Sequence, residues 1–298
     1  MATRVSDLSH VAAATDFALP ADHPGAHDPE YRSRRAAIAA IGAAYRRGEP
    51  IPHVDYTAAE HRVWATVSRE LAELHREHAC EVYLRGAEAL VLPTERVPQL
   101  SEVDDRVRAL TGFRIDPVPG LVDTRTFYGA LADRHFLATQ YVRHHSVPYY
   151  TPEPDIIHEI IGHANMLADP DLADLYEAAG KASQRAETAE GLEFFSHVFW
   201  FSLEFGVVTE RGRTRAFGAG ILSSFGELHT YNDPELVVHR EFDLAAMGTL
   251  DYDITHYQPV LFRADSTGRL MDDLHRFFAD FDDDTPARLG VRQEGKDR

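Results

Sequence analysis

The spacing of two histidines and one glutamate constrains the fold of this chain more than any other sequence feature. His158 and His163 lie five residues apart in a short segment, and Glu204 follows later in a run of aromatic and aliphatic residues. An ionised carboxylate in apolar surroundings is costly without a partner, and a divalent cation is one suitable partner. Two imidazoles and one carboxylate are the ligand set of a mononuclear non-haem Fe(II) site. Such a site requires a fold that brings the three side chains together.

A regular helix does not by itself bring the two histidines together. It advances about 100° per residue, so five residues leave the side chains roughly 140° apart around the axis. Gly162 weakens a regular helix and predicts a helix end or bend just before His163, which would turn that side chain back toward His158. Asp155 follows two prolines that favour an extended segment, and it is the expected N-cap of a short helix carrying His158.

Each of these residues also has an ordinary structural explanation. A histidine on an apolar face is more often a satisfied core residue than a ligand, and a glutamate in an apolar run is more often exposed or salt-bridged than metal-bound. A zinc hydrolase would use the same ligand types, but it normally carries His-Glu-x-x-His, and this chain has His-Glu-x-x-Gly-His. An Fe(II) dioxygenase that uses 2-oxoglutarate and a non-catalytic helical binding module are further alternatives.

Charge and composition indicate which classes of binding partner and which cellular compartment to expect. A formal net charge of −18 disfavours nucleic acid and anionic membranes as partners. The first residues lack the apolar core of a signal peptide, and no apolar run approaches the about eighteen residues that cross a bilayer, so we expect a cytoplasmic protein. Cys80 is the only cysteine, so an internal disulfide is impossible and any metal ligands must be nitrogen and oxygen atoms.

The periodicity predicts a mainly helical (α+β) protein. We expect an irregular N-terminal arm over residues 1–29, a single catalytic domain over 30–285 and a polar C-terminal tail over 286–298. The expected helices cover residues 32–47, a segment that starts at a Thr57 capping box, a segment capped by Ser101 and ending near Gly112, 124–136, 171–185 and 269–281. A turn at Gly212 between two β-prone runs predicts a small antiparallel hairpin over residues 207–217.

Long motifs along the chain carry a family resemblance. They cover residues 111–121, 139–144, 151–163, 201–206 and 217–228, with weaker similarity at 52–56 and 257–259. In these motifs the chain resembles the catalytic domain of the pterin-dependent aromatic amino acid hydroxylases, and within that family the single-domain bacterial phenylalanine hydroxylases. The resemblance implies a helical basket around an iron site, a monomer, and the use of Fe(II), O2 and a tetrahydropterin such as tetrahydrobiopterin.

The resemblance also implies roles for individual residues. The implied Fe(II) ligands are His158, His163 and Glu204. The residues implied at the substrate are Arg143, Thr151, Pro154, Asp155, Trp200, Phe205 and Ser223. Among them Arg143 would bind the substrate carboxylate, Asp155 would hold the Arg143 guanidinium, and Ser223 would hydrogen-bond a ligand histidine. The residues implied at the pterin, with Phe127 stacked on it, are Gly120, Leu121, Val122, Phe127 and Glu159. Without the resemblance, Phe127 and Trp200 would be interpreted as core residues, and Arg143 and Glu159 as surface charges.

The implied reaction is monooxygenation of the ring of a free aromatic amino acid, with L-phenylalanine converted to L-tyrosine. Trp200 favours a one-ring substrate, because family members that hydroxylate tryptophan usually have a smaller aromatic residue there. The chain departs from the family at Phe199, where tyrosine is common, and at Ala164-Asn165, where Val-Pro is usual. Hydroxylation of phenylalanine at C3, to meta-tyrosine, and 5-hydroxylation of tryptophan are therefore the alternatives within the family.

Overall fold

The structure is a computed structural model, and it describes residues 19–254 and 256–291. Residues 1–18 of the predicted arm and 292–298 of the predicted tail lie outside the described residues, and the predicted domain boundaries stay predictions. Within the described ranges, no helix combines the length and the low polarity that crossing a bilayer requires.

Helices account for most of the described chain, as predicted. In chain order they are α1 (Pro29–Ala44), α2 (Ala58–His78), α3 (Glu81–Leu90), α4 (Leu100–Thr111), α5 (Thr124–Leu131), α6 (Asn165–Leu167), α7 (Pro170–Ser183), α8 (Ala189–Phe199), α9 (Ala219–Leu222), α10 (Phe225–Thr230), α11 (Leu244–Thr249), α12 (Thr267–Asp280) and α13 (Thr285–Arg288). A 3-10 turn at Pro24–Ala26 precedes α1. Two π-helical segments complete the helices of the described residues: the first covers His158–Ala164 and the second covers Trp200–Glu204.

Short strands form two small sheets within residues 19–254 and 256–291. The strands are β1 (Arg114–Pro117), β2 (His135–Ala138), β3 (Val207–Glu210), β4 (Arg213–Ala216), β5 (Val238–Glu241) and β6 (Val260–Ala264). β1 and β2 pair in parallel, and the second sheet has the order β4-β3-β6-β5. β3 and β4 form the predicted antiparallel hairpin, and Gly212 in its turn has φ +74°, a value that favours glycine. The parallel pairs involving β1, β2, β5 and β6 were not predicted.

Several helix ends follow directly from local sequence chemistry. The Thr57 side chain accepts from the N–H of Glu60, and the Glu60 carboxylate accepts from the N–H of Thr57, which confirms the predicted capping box of α2. The prediction that Ser101 caps α4 is wrong, because Gln99 is the N-cap and its capping box includes Glu102. Gly112 follows α4 in the left-handed conformation, as a helix-ending glycine should.

The predicted helix over residues 124–136 is wrong in its last third. α5 ends at Leu131, Arg134 adopts a positive φ of 58°, and His135 begins strand β2. The apolar residues Phe136 and Leu137 are buried by pairing β2 with β1, so tertiary pairing decides a short apolar run that periodicity alone does not assign.

One large apolar cluster of buried residues extends from Val63 in α2 to Phe281 after α12. It includes the buried faces of both π-helical segments, through Ile160 and Leu203 for example. Because both segments pack into the same core, their polar side chains are held in fixed positions relative to each other.

Candidate metal centre

The three candidate ligands all lie on the π-helical segments. His158 and His163 are the first and sixth residues of the first segment, and Glu204 is the last residue of the second. A π-helix bonds residue i to residue i+5, so it places residues five apart above one another, whereas an α-helix would separate them. Asp155 accepts a hydrogen bond from the N–H of His158 at 3.2 Å, in agreement with its predicted capping role.

The predicted helix end or bend at Gly162 is wrong. The helix continues through Gly162 into α6, and the widened turn, not a break, brings His163 back to His158. Gly162 is needed for a different reason, because a Cβ atom there would lie 2.9 Å from the backbone oxygen of Ala219. This close approach lets α9 pack directly on the first π-helical segment.

The nitrogen and oxygen atoms of the three side chains converge in one place. The Nε2 atoms of His158 and His163 are 3.0 Å apart, and His163 Nε2 is 3.1 Å from Glu204 Oε1. His158 Nε2 is 4.0 Å from Glu204 Oε2. One ligand atom from each residue lies within 4.8 Å of the others, which is the arrangement expected of a metal site. Among the described residues, no other histidine, cysteine or carboxylate group forms such a cluster.

The outer hydrogen bonds of the histidines determine which ring nitrogen faces the centre. Ser223 Oγ donates to the backbone oxygen of Ala219 at 2.8 Å and therefore accepts from His158 Nδ1 at 2.8 Å. The Tyr176 hydroxyl donates to a methionine sulfur and accepts from His163 Nδ1 at 2.9 Å. Both Nδ1 atoms then carry protons, so both Nε2 lone pairs point at the same space.

Three electron-pair donors this close together repel one another unless a cation lies between them. A single proton on His163 Nε2 can bond to Glu204 or to His158, and it leaves the other contact unsatisfied. A divalent ion satisfies all three at once, and two imidazoles with one carboxylate suit Fe(II) while leaving coordination positions open. The residues present therefore fit a mononuclear iron site.

The charges of Glu204 and His158 agree with ligation, whereas the pKa of His163 is raised despite its burial because Glu204 attracts its proton. Burial alone would raise the pKa of Glu204, but the attraction of His163 and the hydrogen bond from it outweigh burial, so the pKa is lowered. Burial lowers the pKa of His158 to about 4, and His163 adds to that effect. At neutral pH the site therefore presents an ionised carboxylate and a neutral His158 imidazole, the forms that bind metal.

Arg143 and Asp155 form a buried ion pair beside the centre. Asp155 accepts from Arg143 Nε at 2.9 Å and from Nη2 at 2.7 Å, and it also accepts from the Arg143 backbone N–H at 2.8 Å. The Arg143 and Asp155 side chains retain 3% and 0% of their exposure. This pairing uses one edge of the guanidinium, and the Nη1 contact to a described residue is a long one, 3.4 Å to the Pro148 oxygen. The second edge of the guanidinium remains available to a carboxylate.

Aromatic side chains form a half-buried wall near Glu204. The rings of Trp200 and Phe205 lie 4.5 Å apart, and Tyr252 stacks on Trp200 at 4.2 Å with an interplanar angle of 9°. Trp200 Nε1 donates to Gln258 Oε1 at 3.1 Å, and the backbone N–H of Gln258 donates to Glu227 Oε1 at 3.1 Å. The indole orientation is therefore fixed from two sides.

The buried carboxyl of Glu227 is expected to make the stability of the protein depend on pH. Burial raises the pKa of Glu227 to about 7 from an ordinary value of 4.5. The unfolded chain releases this proton first, so the free energy of unfolding falls as pH rises from 4.5 to about 7 and stays low above that. We expect Glu227→Gln to raise the free energy of unfolding by about 3 kcal/mol at about pH 8 and to change it little at about pH 4.

Thermal unfolding at the two pH values measures this effect. Glu235→Gln, at an exposed glutamate, is the control and should behave like the parent at both. A stabilisation by Glu227→Gln that is the same at both pH values would contradict the assignment.

The candidate pterin residues form a group of their own next to His163. Val122 and Phe127, both half-buried, pack against the buried residues Val118, Ala130 and Leu137. The Phe127 ring lies 5.7 Å from that of Phe136, which in turn lies 4.6 Å from the His163 ring. Gly120 and Leu121 are half-buried in the loop that joins β1 to α5.

Glu159 is a buried residue and not an exposed helix charge. It retains 5% of its exposure, and its carboxylate accepts from the Thr139 N–H and from the Thr139 hydroxyl, both at 3.1 Å. Burial raises the pKa of Glu159 to about 7. Thr151 and Pro154 are half-buried in the segment that leads into Asp155, and the Thr151 hydroxyl donates to the Glu153 oxygen at 2.8 Å.

Sequence reasoning missed Tyr176, Tyr252 and the role of Gln258. Tyr176 lies in α7 on the same face as the buried residues Leu172 and Ala179. A buried tyrosine hydroxyl needs a hydrogen-bond partner, so the helical spacing was a usable signal that Tyr176 bonds a polar group in the core. The loop that carries Tyr252 and Gln258 has no periodicity from which its position could be inferred.

Comparisons with known proteins agree with this geometry. Residues 2–288 match the family described as biopterin-dependent aromatic amino acid hydroxylase. The chain is 42% identical to phenylalanine 3-hydroxylase of Streptomyces coeruleorubidus over 267 residues, covering 90% of this chain and 95% of that enzyme. It is 48% identical over 210 residues to a chloroplastic phenylalanine 4-monooxygenase of Chlamydomonas reinhardtii, covering 70% of this chain and 58% of that enzyme.

A solved structure is similar as well. Phenylalanine hydroxylase of Chromobacterium violaceum, with bound iron(III) and the oxidised cofactor 7,8-dihydrobiopterin, has a TM-score of 0.73 and 31% sequence identity to this chain. The match covers 84% of this chain and 92% of that structure.

Proposed function

The chain belongs to the biopterin-dependent aromatic amino acid hydroxylase family, and from this premise we propose that it is an iron-dependent monooxygenase that converts L-phenylalanine to L-tyrosine. The observation that carries the proposal is the convergence of His158, His163 and Glu204 within 4.8 Å. The iron and dihydrobiopterin bound to the Chromobacterium violaceum enzyme support the assignment of the same kinds of group here.

Arg143 binds the carboxylate of the amino acid substrate. Its guanidinium is planar and offers two parallel N–H donors on the edge that Asp155 does not occupy. Asp155 also accepts from the N–H of His158, so one carboxylate fixes both the substrate-binding arginine and the start of the segment that carries the ligands. The substrate is thereby held at a set position relative to the metal, which lowers the entropic cost of reaching the reacting geometry.

The aromatic wall binds the substrate ring. Trp200, Phe205 and Pro154 are half-buried, so each presents an apolar face while remaining anchored in the core. Tyr252 and Gln258 hold the Trp200 indole in one orientation, so its bulk stays in this wall. The bulk of Trp200 favours a one-ring substrate, phenylalanine over tryptophan.

The pterin lies against Phe127, with Gly120, Leu121 and Val122 supplying backbone and apolar contacts. A reduced pterin is flat and conjugated, and a half-buried phenylalanine ring offers it a stacking surface. Glu159, buried beside the first ligand and held by Thr139, supplies a carboxyl group on the pterin side.

When bound, Fe(II) and tetrahydropterin activate dioxygen so that one of its atoms enters the aromatic ring. The chain keeps both histidine ligands in one tautomer through Ser223 and Tyr176, since a rotated ring would lose ligation. It also surrounds the site with aromatic and aliphatic side chains that keep water away from reactive species.

A second candidate reaction is hydroxylation of phenylalanine at C3. It is favoured by the 42% identity to phenylalanine 3-hydroxylase over 95% of that enzyme. Phe199 also departs from the tyrosine that is common in the family, so it carries no hydroxyl. Its ring centroid lies 6.3 Å from that of Phe127 and 6.0 Å from that of Tyr176.

Product analysis separates these reactions. The iron-loaded protein is supplied with tetrahydrobiopterin and O2, and phenylalanine, tyrosine and tryptophan are offered in parallel. We expect para-tyrosine from phenylalanine, dependent on both iron and pterin, and slower turnover of the other two amino acids. Meta-tyrosine as the main product would favour the second candidate, and hydroxylation without pterin would reject both.

A further inference from the structure

We propose that Tyr83 and Asn165 are positioning residues that hold the first π-helical segment in its wide turn and so keep His163 beside His158. This inference rests on the proposed function, because it concerns metal binding by those two histidines. Neither residue is among the candidate ligands. Tyr83 lies in α3 and Asn165 directly follows the segment, and both side chains are buried.

The wide turn leaves one backbone carbonyl without a helical partner. In a regular helix the N–H of Asn165 would donate to the carbonyl of Ile161, four residues earlier. Here it donates to the carbonyl of Ile160, five residues earlier. The Ile161 carbonyl is therefore released from the helix in a buried position, where an unpaired backbone group is costly.

Two side chains satisfy the released carbonyl. The Tyr83 hydroxyl donates to the Ile161 oxygen at 2.7 Å, and Asn165 Nδ2 donates to the same oxygen at 3.0 Å. Asn165 Nδ2 also donates to the Tyr83 hydroxyl at 3.0 Å, so the three groups form a closed triangle. Asn165 Oδ1 has no partner within the described chain, which indicates that the amide is held for its donors.

The triangle is fixed from both sides by neighbouring helices. A Cβ atom at Gly86 would lie 2.0 Å from the backbone oxygen of Asn165, so α3 approaches α6 as closely as glycine permits. Tyr83 lies in the same helix. Its hydroxyl is 3.4 Å from His75 Nδ1, and His75 Nε2 is 2.6 Å from the backbone oxygen of Leu222, the residue before Ser223. His75 therefore packs between Tyr83 and the segment that carries the outer partner of His158.

Loss of this support favours the competing α-helical register. Loss of the Tyr83 hydroxyl or of the Asn165 amide leaves the Ile161 carbonyl with one side-chain donor instead of two, so the alternative in which the N–H of Asn165 returns to this carbonyl becomes more favourable. That change would turn the side chain of His163 away from His158, toward the roughly 140° separation of a regular helix. Metal affinity then falls because part of the population no longer presents both imidazoles.

Cobalt titration of two isosteric variants tests the proposal. Tyr83→Phe removes only the hydroxyl, and Asn165→Leu removes the amide, that is both N–H donors and the unpartnered Oδ1, at similar volume. The control is Tyr231→Phe, which loses a buried hydroxyl that donates to the Thr214 oxygen at 3.1 Å in the β-hairpin. Binding of Co(II) is followed by its visible absorption, which reports ligand geometry, and thermal unfolding of the metal-free proteins is measured alongside. We expect about ten- to hundredfold weaker Co(II) binding with an altered spectrum in both test variants.

The controls distinguish the possible failures. Tyr231→Phe should lose thermal stability to a similar extent as Tyr83→Phe and bind Co(II) like the parent. A parent protein that binds no Co(II) would count against the proposed function itself. Folded variants with parental affinity and spectrum would overturn only the positioning role. If Tyr83→Phe did not fold, the positioning role would also be overturned, because the role assigned to this hydroxyl is local. If Asn165→Leu did not fold, the result for Tyr83→Phe would decide alone.

Discussion

Glu204→Gln is expected to abolish iron binding and hydroxylation while leaving the fold intact. The carboxylate is the only anionic group of the three that converge, and it lies 3.1 Å from His163 Nε2. An amide is neutral and a weak ligand, so two imidazoles alone would have to hold the ion. Loss of an outer hydrogen-bond partner typically weakens a metal site about ten- to hundredfold, so loss of a ligand should exceed a hundredfold.

Chelator competition for Fe(II) and turnover of phenylalanine measure this effect, with circular dichroism to follow the fold. Glu60→Gln is the matched control, since the Glu60 side chain retains 13% of its exposure against 11% for Glu204 and pairs with Arg34 away from the site. His158→Ala should behave like Glu204→Gln. Normal turnover in either ligand variant would show that the ligands are assigned wrongly.

Arg143→Lys is expected to lower kcat/KM for phenylalanine about a hundredfold, mostly through KM. Lysine keeps the positive charge but has no planar pair of donors, so it cannot bond Asp155 along one edge and a substrate carboxylate along the other. The loss corresponds to about 2.7 kcal/mol of transition-state binding. Because a charge remains opposite Asp155, the protein should fold and bind iron as the parent does.

Steady-state kinetics over a range of phenylalanine concentrations separates KM from kcat. Arg240→Lys, at an exposed arginine in β5, is the control and should leave both constants unchanged. An unaltered KM in Arg143→Lys would place the substrate carboxylate elsewhere in the protein.

The chemical identity of the site could be predicted from the sequence, but its local backbone geometry could not. Glu204 stood out because a carboxylate in an apolar run needs a partner, and the two histidines completed a ligand set for a divalent cation. The π-helical turn was not predicted, because periodicity distinguishes helices from strands but does not show whether a backbone N–H donates to the carbonyl four or five residues earlier. That choice depends on Tyr83, which is distant along the chain and donates to the Ile161 oxygen.

Contacts distant in sequence also explain the other differences. Gly162 indicated a break when considered alone, but its missing Cβ makes room for Ala219 of α9. The run at Phe136 continued a helical pattern, and its strand conformation arises from pairing with β1. Helix caps such as Thr57 were predicted correctly, because the groups involved lie within one turn of each other.

A crystal structure of the protein with Fe(II), recorded with anomalous scattering at the iron edge, locates the metal. We expect one anomalous peak per chain, at about 2 Å from His158 Nε2, His163 Nε2 and a carboxylate oxygen of Glu204. A peak bound by other residues, or no peak between these three side chains in iron-loaded protein, would contradict this ligand assignment.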